Sequence, residues 1–300
     1  MKIAFFTEMG FTGKVPRDHV NMRTEFAWMC ALQADHYNIS QDPTDSYDLG
    51  IVIIPKKNQK FSFEKFRGYC KKIAVMQEGP HWYWQDYTIE DQIWYYNTIT
   101  SADIIFVHNE IDRKYYHGLT GHPDVRVMPS LMIHDAIGEI ATVDRHGSII
   151  GGNFVSWYGG IDSYIIANTF GGIVTAPSMG RRQHLEEQLI QHLPYLTWTD
   201  WIHELNKYRY GVHLMRTHAA GTFALNCGYL GIPCIGYRGL DTQELIHTEL
   251  TVDIGDLTTA RKLANRLRND EDFYIYCAMK SSARYEALFT EDQFVKNFKL

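Results

Sequence analysis

The sequence lacks the features that mark several classes of protein. Its five cysteines are scattered and odd in number, with no C-x2-C pair, and no set of His or Cys residues has zinc-ligand spacing. No apolar run is long enough to span a membrane, and the first eight residues, MKIAFFTE, become charged too early for a signal peptide. We therefore expect reduced, buried cysteines, no metal site and a cytoplasmic location.

The sequence also has fewer basic than acidic residues. A formal net charge of −6 argues against broad nonspecific binding of nucleic acid, although it leaves room for a local basic face. The glycine fingerprint G-x-G-x-x-G is absent, so bound NAD is not expected. What remains is the composition of a globular protein, with 45% hydrophobic and 14% aromatic residues. The aromatic residues suit stacking on sugars or bases, and they equally suit a core.

Strand and helix patterns alternate along the chain in two successive series. This alternation predicts an α/β protein with two Rossmann-like doubly wound domains, and 300 residues are enough for two cores. Hydrophobic patterning weakens over residues 133–147, where we place a linker. The predicted units are a first domain over residues 1–132, a second domain over 148–285 and a tail over 286–300.

The most informative stretch, from Tyr210 to Tyr237, is YGVHLMRTHAAGTFALNCGYLGIPCIGY. It predicts a strand over Tyr210–Met215, a helix over Thr217–Tyr229 and a second strand over Cys234–Tyr237. In parallel sheets, ligands gather at the carboxyl ends of strands, above helix N-termini. There, Arg216–Thr222 offers backbone N–H groups, two hydroxyls, one cation and little bulk. The stretch therefore predicts a site for a phosphate or a diphosphate.

This stretch resembles the donor-binding helix of GT-B glycosyltransferases, whose retaining branch has a pattern close to E-x-F-G-x5-E-A-x3-G-x-P. When the pattern is aligned on Gly221, Gly231 and Pro233, its two glutamates fall on His218 and Asn226. The resemblance implies that Asn226 hydrogen-bonds a ribose hydroxyl and that His218 contacts a sugar hydroxyl or a phosphate. Because neither residue is a carboxylate, the donor sugar and the stereochemical outcome stay open. The alternative is an ordinary helix–strand unit of any doubly wound domain.

In layout, the resemblance extends over the whole chain. It implies two domains facing a cleft, with an acceptor on the first domain and a nucleotide-sugar, UDP-linked, on the second. It also implies metal-independent catalysis without a cofactor and a tail that returns to the first domain. The turn Gly151-Gly152-Asn153 resembles the glycine-rich turn that begins the donor domain, including that of phage DNA glucosyltransferases.

The resemblance also implies a set of donor-binding residues in the second domain. Arg181 and Arg182 either pair with the diphosphate or open an exposed helix over Arg182–Leu193. The predicted donor-binding residues are Gly152, Asn153, Arg181, Arg182, Arg216, Thr217, His218, Gly221, Thr222, Asn226, Asp241 and Gln243.

In the first domain, the acceptor side and the catalytic groups are predicted mainly from residues that follow strands. Glu78 and His81 come directly after a predicted strand and are backed by aromatic residues, which favours Glu78 as the catalytic base and His81 as the second candidate. Glu8 and Asp18 are further candidates. The sequence His108-Asn109-Glu110 marks another strand end.

Two loops of the first domain are placed on the acceptor side. The resemblance implies that the loop from Gly10 to Gly13 helps to seat a sugar, ahead of a helix predicted over Asp18–Ala34; a plain surface loop is the alternative. Seven cations fall within residues 56–72, interleaved with four aromatic residues. They form either a phosphate-tracking face that includes Lys56, Lys57 and Lys60 or a solvated helix whose aromatic residues point into the core.

The function predicted from these features is transfer of a sugar from a nucleotide-sugar to an acceptor hydroxyl. One acceptor is a hydroxymethylated pyrimidine in phage DNA, in which case the enzyme works in the host cytoplasm. A glycan or small-molecule acceptor is the alternative. A sugar-nucleotide epimerase shares the two-domain architecture, and a non-catalytic nucleotide-sugar-binding module fits the missing carboxylate pair.

Overall fold

A computed structural model of the chain describes residues 1–55, 61–77, 79–80, 82–152, 154–177 and 188–299. These residues form two parallel sheets of six strands each, with helices packed on their faces. Within these ranges, no helix has the length and apolar character needed to cross a bilayer. The predicted fold class of two Rossmann-like domains is confirmed.

The first sheet is built from the first series of strands, in the order β2-β1-β3-β4-β5-β6. Buried β-branched and aromatic side chains fill its central strands, as expected for a sheet covered on both faces. Its elements are β1 (Ile3–Thr7), α1 (Thr24–Ala31), β2 (Asp35–Asn38), β3 (Tyr47–Ile54), α2 (Phe63–Arg67), β4 (Cys70–Gln77), α3 (Ile89–Ser101), β5 (Ile104–Val107), α4 (Glu110–Thr120) and β6 (Val125–Val127).

The second sheet has the order β12-β11-β10-β7-β8-β9 and is followed by helices that close the chain. Its elements are β7 (His146–Ile150), α5 (Gly160–Ala167), β8 (Val174–Ala176), β9 (Ile190–His192), α6 (Trp198–Leu205), β10 (Tyr208–His213), α7 (Thr222–Tyr229), β11 (Cys234–Tyr237), α8 (Asp241–Ile246), β12 (Thr251–Val252), α9 (Leu257–Asn269), α10 (Glu271–Leu288) and α11 (Glu291–Asn297).

Each sheet has one place where the strand order reverses. In the second sheet the reversal lies between β7 and β10, whose ends are joined by a hydrogen bond from Gly151 N to Val212 O of 2.9 Å. In the first sheet it lies between β1 and β3. Crevices open outside the carboxyl ends of strands at such reversals, so the topology marks two places for ligands.

One hydrophobic core runs across both domains. It joins Trp28 and Met132 of the first domain to Phe223 of α7 and Tyr285 of α10, all of them buried. The chain end lies on the first sheet, where the Phe298 ring stacks on Phe106 with 5.8 Å between ring centroids. A continuous core of this kind holds the two sheets in one arrangement around the cleft.

Three helices predicted from the sequence are wrong in extent or type, and one of them, predicted over Thr217–Tyr229, begins only at Thr222. The first helix begins at Thr24 instead of Asp18, because the preceding residues reach the second domain: Val20 O accepts from Thr199 N at 3.2 Å. The helix predicted over Arg182–Leu193 is contradicted at its end, where β9 pairs with β8 as a parallel edge strand. Short β2 and helices α5 and α6 were not predicted.

Candidate functional site

An interdomain cavity of about 460 Å³ opens at the strand reversal of the second sheet. Gly151 follows β7 and His213 ends β10, so the two central strands both deliver residues to its floor. The first domain supplies an opposite wall that includes Trp82 and Tyr83. The lining residues are Thr24, Gly79, Pro80, Trp82, Tyr83, Gly151, Trp157, Tyr158, His213, Met215, Thr217, Ala219, Ala220, Gly221, Thr222 and Phe223.

The N-terminus of α7 faces this cavity. The helix starts at Thr222 after Gly221, which has a left-handed backbone (φ +69°), and among the described residues no side chain caps it. Its first N–H groups therefore have no intrahelical partner, and the helix dipole adds positive potential there. This geometry provides a seat for an anion such as a phosphate, at the place where the sequence predicted one.

Three glycines at this edge are required by close packing. A Cβ on Gly151 would lie 2.4 Å from the His213 ring, and one on Gly152 would lie 2.7 Å from Tyr158. A Cβ on Gly221 would lie 2.1 Å from Thr242 Oγ1, which donates a hydrogen bond to Gly221 O. Substituting Gly221 would therefore disturb the loop itself, so Gly221 is a poor probe of ligand contact.

Arg216, which is not among the lining residues of the interdomain cavity, is held on the second domain by a buried carboxylate. Its Nη2 donates to Asp162 Oδ2 at 2.9 Å, and the Tyr237 hydroxyl donates to the same oxygen at 3.0 Å. The Arg216 side chain is still 56% exposed. The guanidinium is thus oriented by one partner and keeps other N–H groups for an anion.

A second cavity, of about 170 Å³, adjoins the first and shares Thr222 and Phe223 with it. Trp198, Trp201 and Tyr195 give it an aromatic character, and the Tyr195 ring is 70% exposed. Its other lining residues are Met22, Arg23, Thr24, Leu131, Met132, Gly151, Pro177, Pro194, Leu196, Leu225 and Asn226. A flat, largely apolar pocket beside an anion seat suits the base and ribose of a nucleotide.

Asn226 lines the aromatic pocket but already has partners. With its amide correctly oriented, it donates to Thr222 O at 3.2 Å and accepts from Trp201 Nε1 at 2.9 Å. Its side chain is buried within α7. A ribose contact is therefore left with the second N–H of the amide or the second lone pair of Oδ1.

The loop Arg216–Gly221, called the donor loop below, leads into α7 and is hydrogen-bonded to the first domain. Ser130 Oγ donates to Ala220 O at 2.6 Å, and Asn109 Nδ2 donates to Ala219 O at 3.3 Å. These bonds fix the peptides that lead into the α7 N-terminus. Asn109 belongs to the strand end identified from the sequence, whereas Ser130 carried no signal there.

Two predicted donor residues, Asp241 and His218, lie at the contact between the domains. Asp241 accepts from the backbone N–H of Glu110, at the N-terminus of α4, with N–O distances of 3.1 and 3.2 Å. Burial raises the pKa of Asp241 to about 6. The half-buried His218 packs on Gly239, where a Cβ would lie 2.4 Å from its Nε2.

Gln243 does not face the cleft. It is 1% exposed, and its Nε2 donates to Cys234 O at 3.0 Å beneath α8. A Cβ on Gly236 would lie 2.4 Å from its Oε1, so the side chain fills the space above β11. The predicted contact of Gln243 with a donor sugar is contradicted, because the amide supports the packing of α8 on the sheet.

The predicted acceptor-side residues are spread out. Glu8 lines a small cavity of about 80 Å³ at the reversal between β1 and β3. Gly13 instead exchanges two backbone hydrogen bonds of 2.9 Å with His36, and Gly10 and Asp18 are exposed. The loop from Gly10 to Gly13 therefore pairs with β2, and neither glycine is among the residues that line the interdomain cavity.

The described part of the basic segment is largely paired. Lys65 lies 3.2 Å from Asp42, Arg67 lies 3.2 Å from Asp103, and Lys71 lies 2.7 Å from Asp48. The aromatic residues Phe63 and Phe66 are buried. The described residues of this segment therefore agree with the second alternative, a solvated face whose aromatic side chains point into the core.

Eight predicted site residues lie outside the described ranges, and their roles stay predictions. They are Lys56, Lys57, Lys60, Glu78, His81, Asn153, Arg181 and Arg182. The structure also brings forward residues that sequence reasoning missed. One is Asp162, which orients Arg216, and the other is His213, which ends β10. Neither belongs to a recognisable motif, and only their positions near the ends of a helix and a strand relate them to the site.

No protein-family model and no curated protein matches this chain. Solved structures do match along nearly its full length. Sucrose-phosphate synthase from Thermosynechococcus elongatus is 10% identical, with a TM-score of 0.70, over 98% of this chain and 96% of that chain. Anabaena HepE in complex with UDP and glucose is 10% identical, with a TM-score of 0.67, over 99% and 97%.

A further match is an alpha-glucosyltransferase in complex with UDP and a 13-mer DNA containing an HMU base. It is 11% identical, with a TM-score of 0.64, over 99% of this chain and 97% of that chain. At such low identity these matches establish the architecture. The chain has the two-domain GT-B fold of these glycosyltransferases, as the donor-helix pattern implied.

Proposed function

We propose that this protein is a glycosyltransferase that moves a sugar from a nucleoside diphosphate sugar to an acceptor hydroxyl. The observation that carries the proposal is the uncapped N-terminus of α7, which opens at the junction of two cavities and begins at Thr222. It offers an anion seat with an aromatic pocket on one side and the interdomain cleft on the other. That order suits base, diphosphate and sugar.

Each part of the donor has a place in this arrangement. The base and ribose occupy the aromatic pocket near Tyr195 and Trp201, and the diphosphate lies on the first turn of α7. The sugar then projects into the larger cavity toward Trp82 and Tyr83. The matched structures that contain UDP support UDP as the first nucleotide to test. No step of this binding scheme requires a metal, because N–H groups and cations neutralise the diphosphate.

The first prediction concerns the diphosphate. Replacing Arg216 by glutamine should weaken UDP binding about 10- to 100-fold, because a charge-assisted hydrogen bond is worth roughly 1.5–3 kcal/mol. Glutamine keeps a second donor for Asp162, whose side chain is only 11% exposed and would otherwise keep only the Tyr237 hydroxyl. Isothermal titration calorimetry of UDP against both proteins measures the effect.

Arg238 is a matched control for this substitution. Its side chain is also 56% exposed, it pairs with Glu244 at 3.0 Å, and it follows β11, the neighbouring strand of the same sheet. The Arg238→Gln variant should bind UDP like the wild type. Equal affinity in all three proteins would place the diphosphate away from Arg216.

The acceptor hydroxyl belongs, in our proposal, to a glycan or a small molecule. The paired cations Lys65, Arg67 and Lys71 leave little free positive charge in the described part of the basic segment. The aromatic residues of the cleft wall suit the face of a sugar ring. Modified DNA is the second candidate, supported by the match to an alpha-glucosyltransferase solved with DNA.

The second prediction distinguishes these acceptors. If DNA is the acceptor, replacing Lys56, Lys57 and Lys60 together by glutamine should weaken DNA binding and flatten its salt dependence by about one unit of slope per lost phosphate contact. UDP binding should not change. Fluorescence anisotropy with hydroxymethylated DNA over a range of salt concentrations measures the slope.

The paired cations of the same segment provide the control. Glutamine at Lys65, Arg67 and Lys71 removes the same formal charge from residues that already have carboxylate partners, so the salt slope should stay at the wild-type value. A wild-type protein that ignores DNA would assign the acceptor to the glycan or small-molecule class. Product analysis with a panel of nucleotide-sugars separates transfer from epimerisation and from binding alone.

A further inference from the structure

His213 has no hydrogen bond to either ring nitrogen within the described part of the chain. It is the last residue of β10, it is 6% exposed, and both Nδ1 and Nε2 are buried. Its ring lies under the Gly151 turn and meets the Phe223 ring edge-on, with 5.3 Å between centroids. His213 also lines the larger cavity at the strand reversal.

Other buried histidines show how such a side chain is normally satisfied. His36 bonds Thr7 Oγ1 and Phe11 O, both at 2.8 Å, and His247 bonds Ala224 O at 2.9 Å. A buried polar group without a partner is costly, so native proteins rarely keep one without a reason. His213 thus differs from His36 and His247, and it is located where the topology places a ligand.

The surroundings of His213 indicate which ligand group completes it. Among the described lining residues of this cavity, it is the only Asp, Glu, His, Lys or Arg. Burial lowers the pKa of His213 to about 4, so the free imidazole is neutral and carries one N–H donor at neutral pH. Beside it, the first turn of α7 offers backbone N–H donors, and the Thr222 hydroxyl lines the same cavity. A ligand group that accepts hydrogen bonds can pair with both the imidazole N–H and the N–H groups of this turn.

We propose, building on the proposed function, that the imidazole N–H of His213 donates a hydrogen bond to a phosphate oxygen of the bound nucleoside diphosphate. The phosphate oxygens accept hydrogen bonds and carry the charge that the α7 N-terminus attracts. Phe223 supplies both a backbone N–H of this turn and the ring packed on His213. Because both ring nitrogens are covered in this structure, the contact requires the Gly151 turn above the ring to shift as the donor binds, and the buried imidazole then gains a partner.

The test is a His213→Phe variant, which keeps a flat ring and removes both nitrogens. Without a ligand, this variant should be at least as stable as the wild type, because no polar atom is left unpaired. Its affinity for the tightest-binding of UDP, ADP and GDP should fall about 10- to 100-fold, while its affinity for the parent nucleoside should stay the same. A His213→Gln variant, which retains a donor, should recover part of the lost affinity.

Thermal unfolding and calorimetry give the outcomes. Loss of diphosphate affinity at unchanged nucleoside affinity and unchanged stability supports the phosphate contact. Wild-type diphosphate affinity in the His213→Phe variant overturns it, and so does an equal loss for diphosphate and nucleoside. If the phenylalanine variant does not fold, the His213→Gln variant must bind the diphosphate more tightly than His213→Leu, or the proposal fails. A wild-type protein that binds none of the three diphosphates instead contradicts the proposed function itself.

Discussion

Replacing Glu78 by glutamine is expected to lower turnover about 10²- to 10⁴-fold at saturating donor and acceptor, the usual contribution of a general base. Affinity for UDP should stay at the wild-type value, because the substitution removes a proton acceptor and no part of the donor seat. Steady-state kinetics and UDP titration on the same protein preparations measure both quantities.

Three described neighbours support a role for Glu78, which itself lies outside the described residues. Gln77 ends β4, and its Nε2 donates to Pro80 O at 2.7 Å, which fixes the turn that follows the strand. Trp82 and Tyr83, directly beyond this turn, line the interdomain cavity. Gly79 and Pro80 line the same cavity, so the described residues that follow position 78 lie at the cleft.

Glu8 is the matched control for this experiment. It follows β1 and lines the small cavity at the other strand reversal, together with Glu25, so it is the strand-end carboxylate that a first-domain ligand would meet there. A large loss of turnover in Glu8→Gln with normal turnover in Glu78→Gln would move the base to β1. Normal turnover in both variants would indicate a mechanism without a protein base at either strand end.

The sequence was sufficient to predict the architecture because the signals were local. Strand β11 has the predicted bounds of Cys234–Tyr237, between the Gly-x-Pro that ends α7 and the following loop. Alternating buried strands and helices specify parallel sheets almost by themselves. The C-terminus of α7 was predicted for the same reason, but its start was not: the helix predicted from Thr217 begins at Thr222, because Ser130 and Asn109 of the first domain hold the peptides ahead of it.

What could not be predicted depends on tertiary contacts. Residues 18–23 were predicted as part of the first helix, but they form turns that contact α6, where Trp198 N donates to Asn21 Oδ1 at 3.2 Å. Edge strand β9 has only three residues, and its pairing with β8 overrides a helical pattern. The orientations of Gln243 and Asn226 follow from the packing of α7 and α8, which spacing along the sequence does not encode.

Replacing Gly159 by alanine is expected to cost about 4 kcal/mol of unfolding free energy and to weaken UDP binding. Gly159 precedes α5 with a left-handed backbone (φ +60°), and a Cβ there would lie 1.9 Å from Leu214 O. The strained backbone and the forced displacement contribute roughly 1–3 kcal/mol each. Leu214 directly follows His213 and precedes the donor loop, so the displaced backbone is the one that positions Arg216.

The Gly172→Ala variant is the control, because it measures the cost of a left-handed backbone without a steric clash. Gly172 also has a left-handed backbone (φ +78°), but a Cβ there has no neighbour within 4 Å among the described atoms. This control should lose only about 1–2 kcal/mol, the cost of the left-handed conformation, and should bind UDP normally. Urea unfolding and calorimetry on the two variants compare these values. Equal losses of stability in both variants would show that the carbonyl of Leu214 yields without cost, and wild-type UDP affinity in Gly159→Ala would show that the contact of Gly159 with Leu214 does not position the donor loop.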